Sequence, residues 1–167
     1  MEDGENGTMF AVRALRQDDL PHILDSCLVS MTNVLAGAMT IDPIQDVLDS
    51  ANAEGHQAWI VEAAGRFMGL AIVFIERESL VHLKWVSVAA GAPQRRQIRR
   101  ALVEVVMRHT WESDCLKLIV HTGHPAGCFL KFMHAFGFDF SRERWLDDEH
   151  TIEFYRNLYE RPEALPA

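Results

Sequence analysis

Between Phe67 and Glu76 (FMGLAIVFIE) nearly every position is apolar, and the runs on either side, Ala58–Ala63 (AWIVEA) and Leu80–Val88 (LVHLKWVSV), are nearly as rich in β-branched and aromatic residues. A strand that lacks polar alternation has no face to give to water, so the middle run is predicted to be central and covered on both sides. The connector Ala64-Gly65-Arg66 between the first two runs predicts a hairpin. Elsewhere the period changes. Ile98, Ala101, Leu102, Val105 and Val106 recur at helical spacing within Gln94–Thr110, with arginines on the other positions, which predicts a helix resting one face on a core.

The same reading fills in the remaining chain. Phe10–Leu15 is a short strand, and Asp18 and Asp19 are placed to cap a helix beginning at Leu20-Pro21. Ile23, Leu24, Cys27, Leu28, Met31, Val34 and Leu35 carry that helix to about Leu35. Asp42-Pro43 opens a second, shorter helix that stops near Gly55. Leu116–Thr122 is a strand, Pro125–Phe136 a short helix closed by Gly137, and Phe138–Trp145 pairs with Thr151–Leu158 across the acidic turn Leu146–His150. The order is β, α, α, β, β, β, α, β, α, β, β: an α/β chain of one domain over 10–158, with a leader over 1–9 and a loose tail over 159–167.

Composition narrows what such a domain does. With 167 residues the chain can bury a sufficient core without staples. Sixteen basic against 24 acidic residues give a formal charge of −8, which argues against a general nucleic-acid or anionic-membrane binder. No run approaches the ~18 apolar residues of a membrane span, and the acidic start MEDGENGTMF is unlike a secretory signal, so a cytoplasmic protein is expected. The three cysteines, Cys27, Cys115 and Cys128, have no CxxC spacing and read as buried reduced thiols. His82, His121, His124 and Cys128 show no metal-ligand spacing, so no metal is expected.

Two segments carry a family resemblance. One is the strand–loop–helix Val86-Ser87-Val88 … Gln94-Arg95-Arg96-Gln97-Ile98-Arg99-Arg100-Ala101-Leu102, the other the helix ending Phe132-Met133-His134-Ala135-Phe136-Gly137-Phe138. Together with the element order over about 10–158, they resemble the GNAT superfamily of acyl-CoA-dependent N-acyltransferases. The resemblance implies a mixed central sheet flanked by helices on both faces. It also implies acetyl-CoA or another acyl-CoA as co-substrate, its pantetheine arm pairing with the backbone of Trp85–Val88 and its phosphates near the start of the arginine helix. The implied cofactor residues are Val86, Val88, Gln94, Arg95, Arg96, Gln97 and Arg99.

The departures from the family pattern are chemical. The family's Q/R-x-x-G-x-G/A loop uses glycines to let backbone approach a pyrophosphate, and here Gln97 and Arg99 stand at the glycine positions. The arginines either crowd that site or bind its charge directly. A tyrosine commonly placed in the last helix as general acid corresponds to Met133, whose thioether has no proton to give. Candidate acid/base groups by position are Glu76 and Glu78, His82, His121, His124 and His134.

Two functions follow. One is an atypical acyl-CoA N-acyltransferase acting on a small-molecule or protein amine. The other is a catalytically silent GNAT-derived protein that binds a protein partner, of the kind some bacteriophages use in virions or against hosts. The Arg95, Arg96, Arg99, Arg100 cluster suits a solvated face, a CoA phosphate site or an acidic partner. Homodimerisation is left open by the terminal hairpin.

Overall fold

The run without alternation forms the middle of the sheet. In the computed structural model, which describes residues 9–26, 32–33, 54–77, 80–89, 91–122, 131, 133–146 and 149–157, it becomes strand β4 (Arg66–Arg77) between β3 (His56–Ala63) and β5 (Leu80–Val88). Leu70, Ala71, Ile72 and Val73 are all fully buried, as a strand covered on both faces requires. The β3–β4 turn is two residues, Ala64 (φ +49°) and Gly65 (φ +70°), and Arg66 already belongs to β4. Both turn residues sit in the left-handed region, which matches the twist of the strands they join.

Around this hairpin the sheet runs β1-β3-β4-β5-β6-β8-β7, where β1 is Ala11–Ala14, β6 Lys117–Thr122, β7 Asp139–Leu146 and β8 Glu149–Asn157. Among the described residues β5 and β6 form the parallel pair and the other pairs are antiparallel, so the sheet is mixed. The parallel pair is joined by helix α2 (Arg95–Glu112), which presses Ile98, Leu102, Val103, Val106 and Met107 onto one face. Trp59, Val61, Ala71, Val73, Val81 and Leu83 face it. Helix α1 (Leu20–Ser26) inserts Ile23 on the opposite face, against Ala58, Ile60, Leu70 and Ile72. Helices therefore cover both faces, the arrangement expected.

Three expectations change. The first helix does not reach Leu35, because Thr32–Asn33 form a short strand, β2, on β5. Thr and Asn favour neither helix interiors nor long stripes, and the ladder on β5 supplies their backbone bonds instead. The chain enters α1 through a short 3₁₀ turn at Gln17–Asp19, where the Asp19 carboxylate reaches back to accept from the Arg16 backbone N–H (2.7 Å). The closing hairpin turns more tightly than expected: Leu146, Glu149 and His150, read as turn, belong to the strands, with Glu149 opposite Leu146 and His150 opposite Trp145. The helix expected from Asp42 toward Gly55 lies, up to position 53, outside the described residues, as do Glu78, His124, Cys27 and Cys128. Among the described residues no helix is long and apolar enough to cross a membrane.

Candidate functional site

β5 and β6 begin as neighbours and part company. Their ladder runs from Leu80↔Lys117 to Leu83↔Val120 and stops, although β5 continues to Val88 and β6 to Thr122. The cause lies on the other side of β5. Against β4 the register jumps from Ile72↔Trp85 to Val73↔Leu83, leaving Lys84 as an extra residue. Lys84 carries its ammonium over the Phe74 ring (5.8 Å to the centroid), while Trp85 packs with Ile23, Ile60 and Ile72. Such a bulge bends a strand and increases its twist, and a straight parallel neighbour cannot follow. The result is a wedge opening at Lys84, toward the carboxyl ends of two parallel strands, where open α/β sheets place their ligands.

The start of α2 lies just beyond the β5 end of that wedge. Gln94 precedes it in the left-handed conformation (φ +54°, ψ +38°), and its carbonyl accepts from the N–H groups of Gln97 (2.9 Å) and Ile98 (3.1 Å). Gln94, Arg95, Arg96 and Gln97 are exposed and Arg99 is half-buried, while the first turn contains no acidic residue. Arg100 donates to Glu104 one turn on at 2.7 Å. Five of the seven expected cofactor residues thus gather at one helix end, and Val86 and Val88 are buried on the adjoining strand. Gly69 makes this packing close: a Cβ there would stand 2.9 Å from the Ser87 carbonyl and 3.1 Å from both Ile98 and Leu102 side chains.

Backbone direction on β5 can be read from its partners. Ala89 donates to Met68 on β4 (2.9 Å), so in an antiparallel ladder Ala89 and Ser87 turn toward β4 while Val88 turns to the opposite edge. That edge carries β2, with Thr32 opposite Val88 and Asn33 opposite Ser87. Further along the same edge β6 covers Leu80–Leu83.

Of the acid/base candidates, the structure brings Glu76 and His82 together. His82 Nε2 and Glu76 Oε2 are 2.6 Å apart, with the His82 side chain 14% and the Glu76 side chain 43% exposed. A second register shift explains the meeting, since Ile75 pairs with Val81 and Arg77 with Leu80, leaving Glu76 as the extra residue. His82 also lies in a row across three strands with Phe74 and His56: the Phe74 ring centroid is 6.3 Å from that of His82 and 4.9 Å from that of His56. His82 Nδ1 points into the protein, so the accessible group of the pair is the carboxylate.

The other two candidates stand elsewhere. His121 is the first β6 residue past the last β5–β6 pair, with Glu153 opposite it on β8. His134 is exposed on the helical stretch 133–135, and Met133 beside it is buried among Phe136, Phe138 and Phe154. Gly137 closes that helix at φ +72°, with Gly137 N–H donating to the His134 carbonyl and Phe138 N–H to that of Met133. The Arg156 guanidinium donates to the Phe136 carbonyl and fills the space a Cβ on Gly137 would need. Burial lowers the Arg156 pKa from its usual value.

Glu153 is the residue that sequence reasoning missed. It is 2% exposed, accepts from Ser141 Oγ at 2.8 Å and pairs with Arg142 Nε at 3.3 Å. A glutamate between Ile152 and Phe154 reads as the wet side of a hairpin. The signal lay on the partner strand, where a bulge sets both Ser141 and Arg142 against it. Cys115 is buried, and burial pushes its thiol pKa up, away from nucleophilic use.

No protein-family model matches the sequence, and no curated protein matches it. Solved structures do match. The chain is similar to the ribosomal-protein-S18-alanine N-acetyltransferase from Escherichia coli, with a TM-score of 0.71 at 18% identity over 95% of this chain and 100% of that one. A GNAT family acetyltransferase from Elizabethkingia anophelis with acetyl-CoA bound gives 0.66 at 14% identity over 89% and 97%. The aminoglycoside 6′-N-acetyltransferase from Enterococcus faecium gives 0.66 at 10% over 92% and 99%. At these identities the likeness establishes a shared fold.

Proposed function

We propose that this chain, which has the GNAT fold, is an acyl-CoA-dependent N-acyltransferase that moves an acyl group, acetyl in the simplest case, to an amine. The observation that carries the reading is the wedge between β5 and β6, headed at its open end by an arginine-rich helix start, with the hydrogen-bonded Glu76–His82 pair beyond its closed end, level with the paired stretch Leu80–Leu83.

The residues divide the work. Arg95, Arg96 and Arg99, with the helix N–H groups and Gln94 and Gln97, suit the phosphates of CoA in place of the missing glycines. The backbone of Val86 and Val88 suits the pantetheine arm. An acyl-CoA supplies an activated thioester. Glu76 is the base: it takes the proton the amine sheds as its nitrogen bonds to the acyl carbon and the C–S bond breaks. His82 is the positioning residue, holding that carboxylate by a 2.6 Å hydrogen bond. His121 at the apex of the wedge and exposed His134 are alternative proton carriers, separated from Glu76 by substitution. An overall charge of −8 favours approach of a cationic amine, whether a small molecule or a protein amine.

Titration calorimetry with acetyl-CoA, desulfo-CoA and ATP tests the cofactor half. Both CoA species should bind saturably and ATP should not, and Arg99→Glu should abolish the heat. Absence of heat at millimolar acetyl-CoA sinks the proposal. The burial of Met133 where the family places an acid favours a second reading, a silent scaffold that binds a protein partner, and that result would leave it standing.

A further inference from the structure

We infer that Thr32–Asn33 is a latch on the cofactor edge: the chain's own β2 holds the backbone of Val88 that the pantetheine arm of an acyl-CoA would use, so binding must displace it. This inference rests on the acyltransferase reading and deepens it.

A strand has two edges, and at Ser87–Val88 one edge of β5 belongs to β4 through Leu70 and Gly69. Since Ala89 N–H donates to Met68, Val88 presents its N–H and C=O to the other edge. There Thr32 stands directly opposite Val88 in an antiparallel pair, the kind that exchanges two hydrogen bonds, whereas Asn33 opposite Ser87 is the pair that exchanges none with β5. A backbone donor and acceptor cannot serve two partners in the same plane. Among the described residues the pairing spans two residues, short for a strand. It also lies on the one strand edge that the bulge at Lys84 has cleared of β6. When a site is open for only a fraction of the time, the observed affinity is reduced by that fraction. The latch therefore weakens CoA binding without touching the arginines or Glu76.

Thr32→Pro removes the Thr32 N–H, and Asn33→Ala, whose backbone faces away from β5, is the control. Calorimetry with desulfo-CoA should show Thr32→Pro binding roughly five- to tenfold tighter than wild type, the scale of one or two backbone hydrogen bonds, and Asn33→Ala unchanged. In wild type, hydrogen exchange should show the Thr32 amide protected without ligand and fast at saturating desulfo-CoA, while Val88 stays protected throughout. Binding seen only in Thr32→Pro also supports the latch. Equal or weaker binding by a folded Thr32→Pro, or a Thr32 amide still protected at saturation, overturns it and leaves the acyltransferase reading intact. No binding by any variant overturns both. If Thr32→Pro does not fold, the wild-type exchange experiment decides alone.

Discussion

A carboxylate at a strand end is ordinarily wet and unremarkable in its chemistry; Glu76 is distinguished by the imidazole 2.6 Å away that fixes its direction. A base held in place contributes about 10²–10⁴-fold to rate, so Glu76→Gln should lower kcat/KM by at least about 10²-fold in a thiol-release assay with melting unchanged. His82→Ala should lower it less, through kcat, because the carboxylate remains but swings. A Glu76→Gln enzyme with wild-type turnover would hand the role to His121 or His134. Position 64 gives a prediction free of any functional reading. Ala64 holds φ +49° ahead of Gly65 at φ +70°, and Asn is far better suited than Ala to that first turn position. Ala64→Asn should stabilise the fold by about 0.5–1 kcal/mol, seen as a rise of a few degrees in Tm. Both Glu76 and His82 were legible as separate candidates. Their meeting was not, because it depends on a register shift that makes Glu76 the extra residue between Ile75 and Arg77, and nothing in ERESL marks a bulge. Glu153 was illegible for the related reason that alternation alone assigns it to water.

Element lengths followed the hydrophobic period where burial was extensive and failed where it was not. The central hairpin and β5 were legible almost to the residue, since each buried position has a partner on both sides. The first helix was read too long because a stripe at three and four spacings continues past Ser26, yet Thr32 and Asn33 find a better ladder on β5. A two-residue strand has no periodicity to read. The helix that crosses from β5 to β6 shows how one small residue positions a whole element. Gly69 on β4 leaves room for the Ser87 carbonyl of β5 and for the α2 side chains of Ile98 and Leu102. A methyl group 2.9 Å from the Ser87 backbone oxygen cannot be absorbed by a rotamer change, so Gly69→Ala must shift β5, and its 3.1 Å approaches to Ile98 and Leu102 press on the first turns of α2 as well. The expected outcome is a loss of about 1–3 kcal/mol of stability in urea melts. Because Arg95, Arg96 and Arg99 move with those turns, CoA affinity should fall as well. A Gly69→Ala protein as stable as wild type would mean that α2 does not depend on this contact.

The molecule as a whole is acidic, and one of its junctions holds a carboxyl whose pKa folding lowers. Arg13 on β1 donates to both oxygens of Asp19 ahead of α1 (2.7 and 2.8 Å) and to Glu62 on β3 (2.9 and 3.2 Å). One guanidinium thereby ties the first strand, the entry to the first helix and the central hairpin together. Those hydrogen bonds, with the Arg13 charge, hold the Asp19 carboxyl at about 2, below its usual 3.8. A carboxyl whose pKa is depressed on folding adds stability above its unfolded pKa, and that stability disappears as pH falls through the folded value. The window is therefore about pH 4 down to about 2. The full shift corresponds to somewhat over 2 kcal/mol, and partial solvent screening reduces this to about 1–2 kcal/mol. Urea melts of wild type and Asp19→Asn at pH 6 and at pH 2 check it. The wild-type advantage should be larger at pH 6 by about 1–2 kcal/mol, because at pH 2 much of the Asp19 population in wild type is protonated too. An advantage that stays constant between the two pH values would mean that Asp19 acts through shape and hydrogen bonding alone, and that the acid sensitivity of this fold has its origin in another carboxylate, with buried Glu153 the next to substitute.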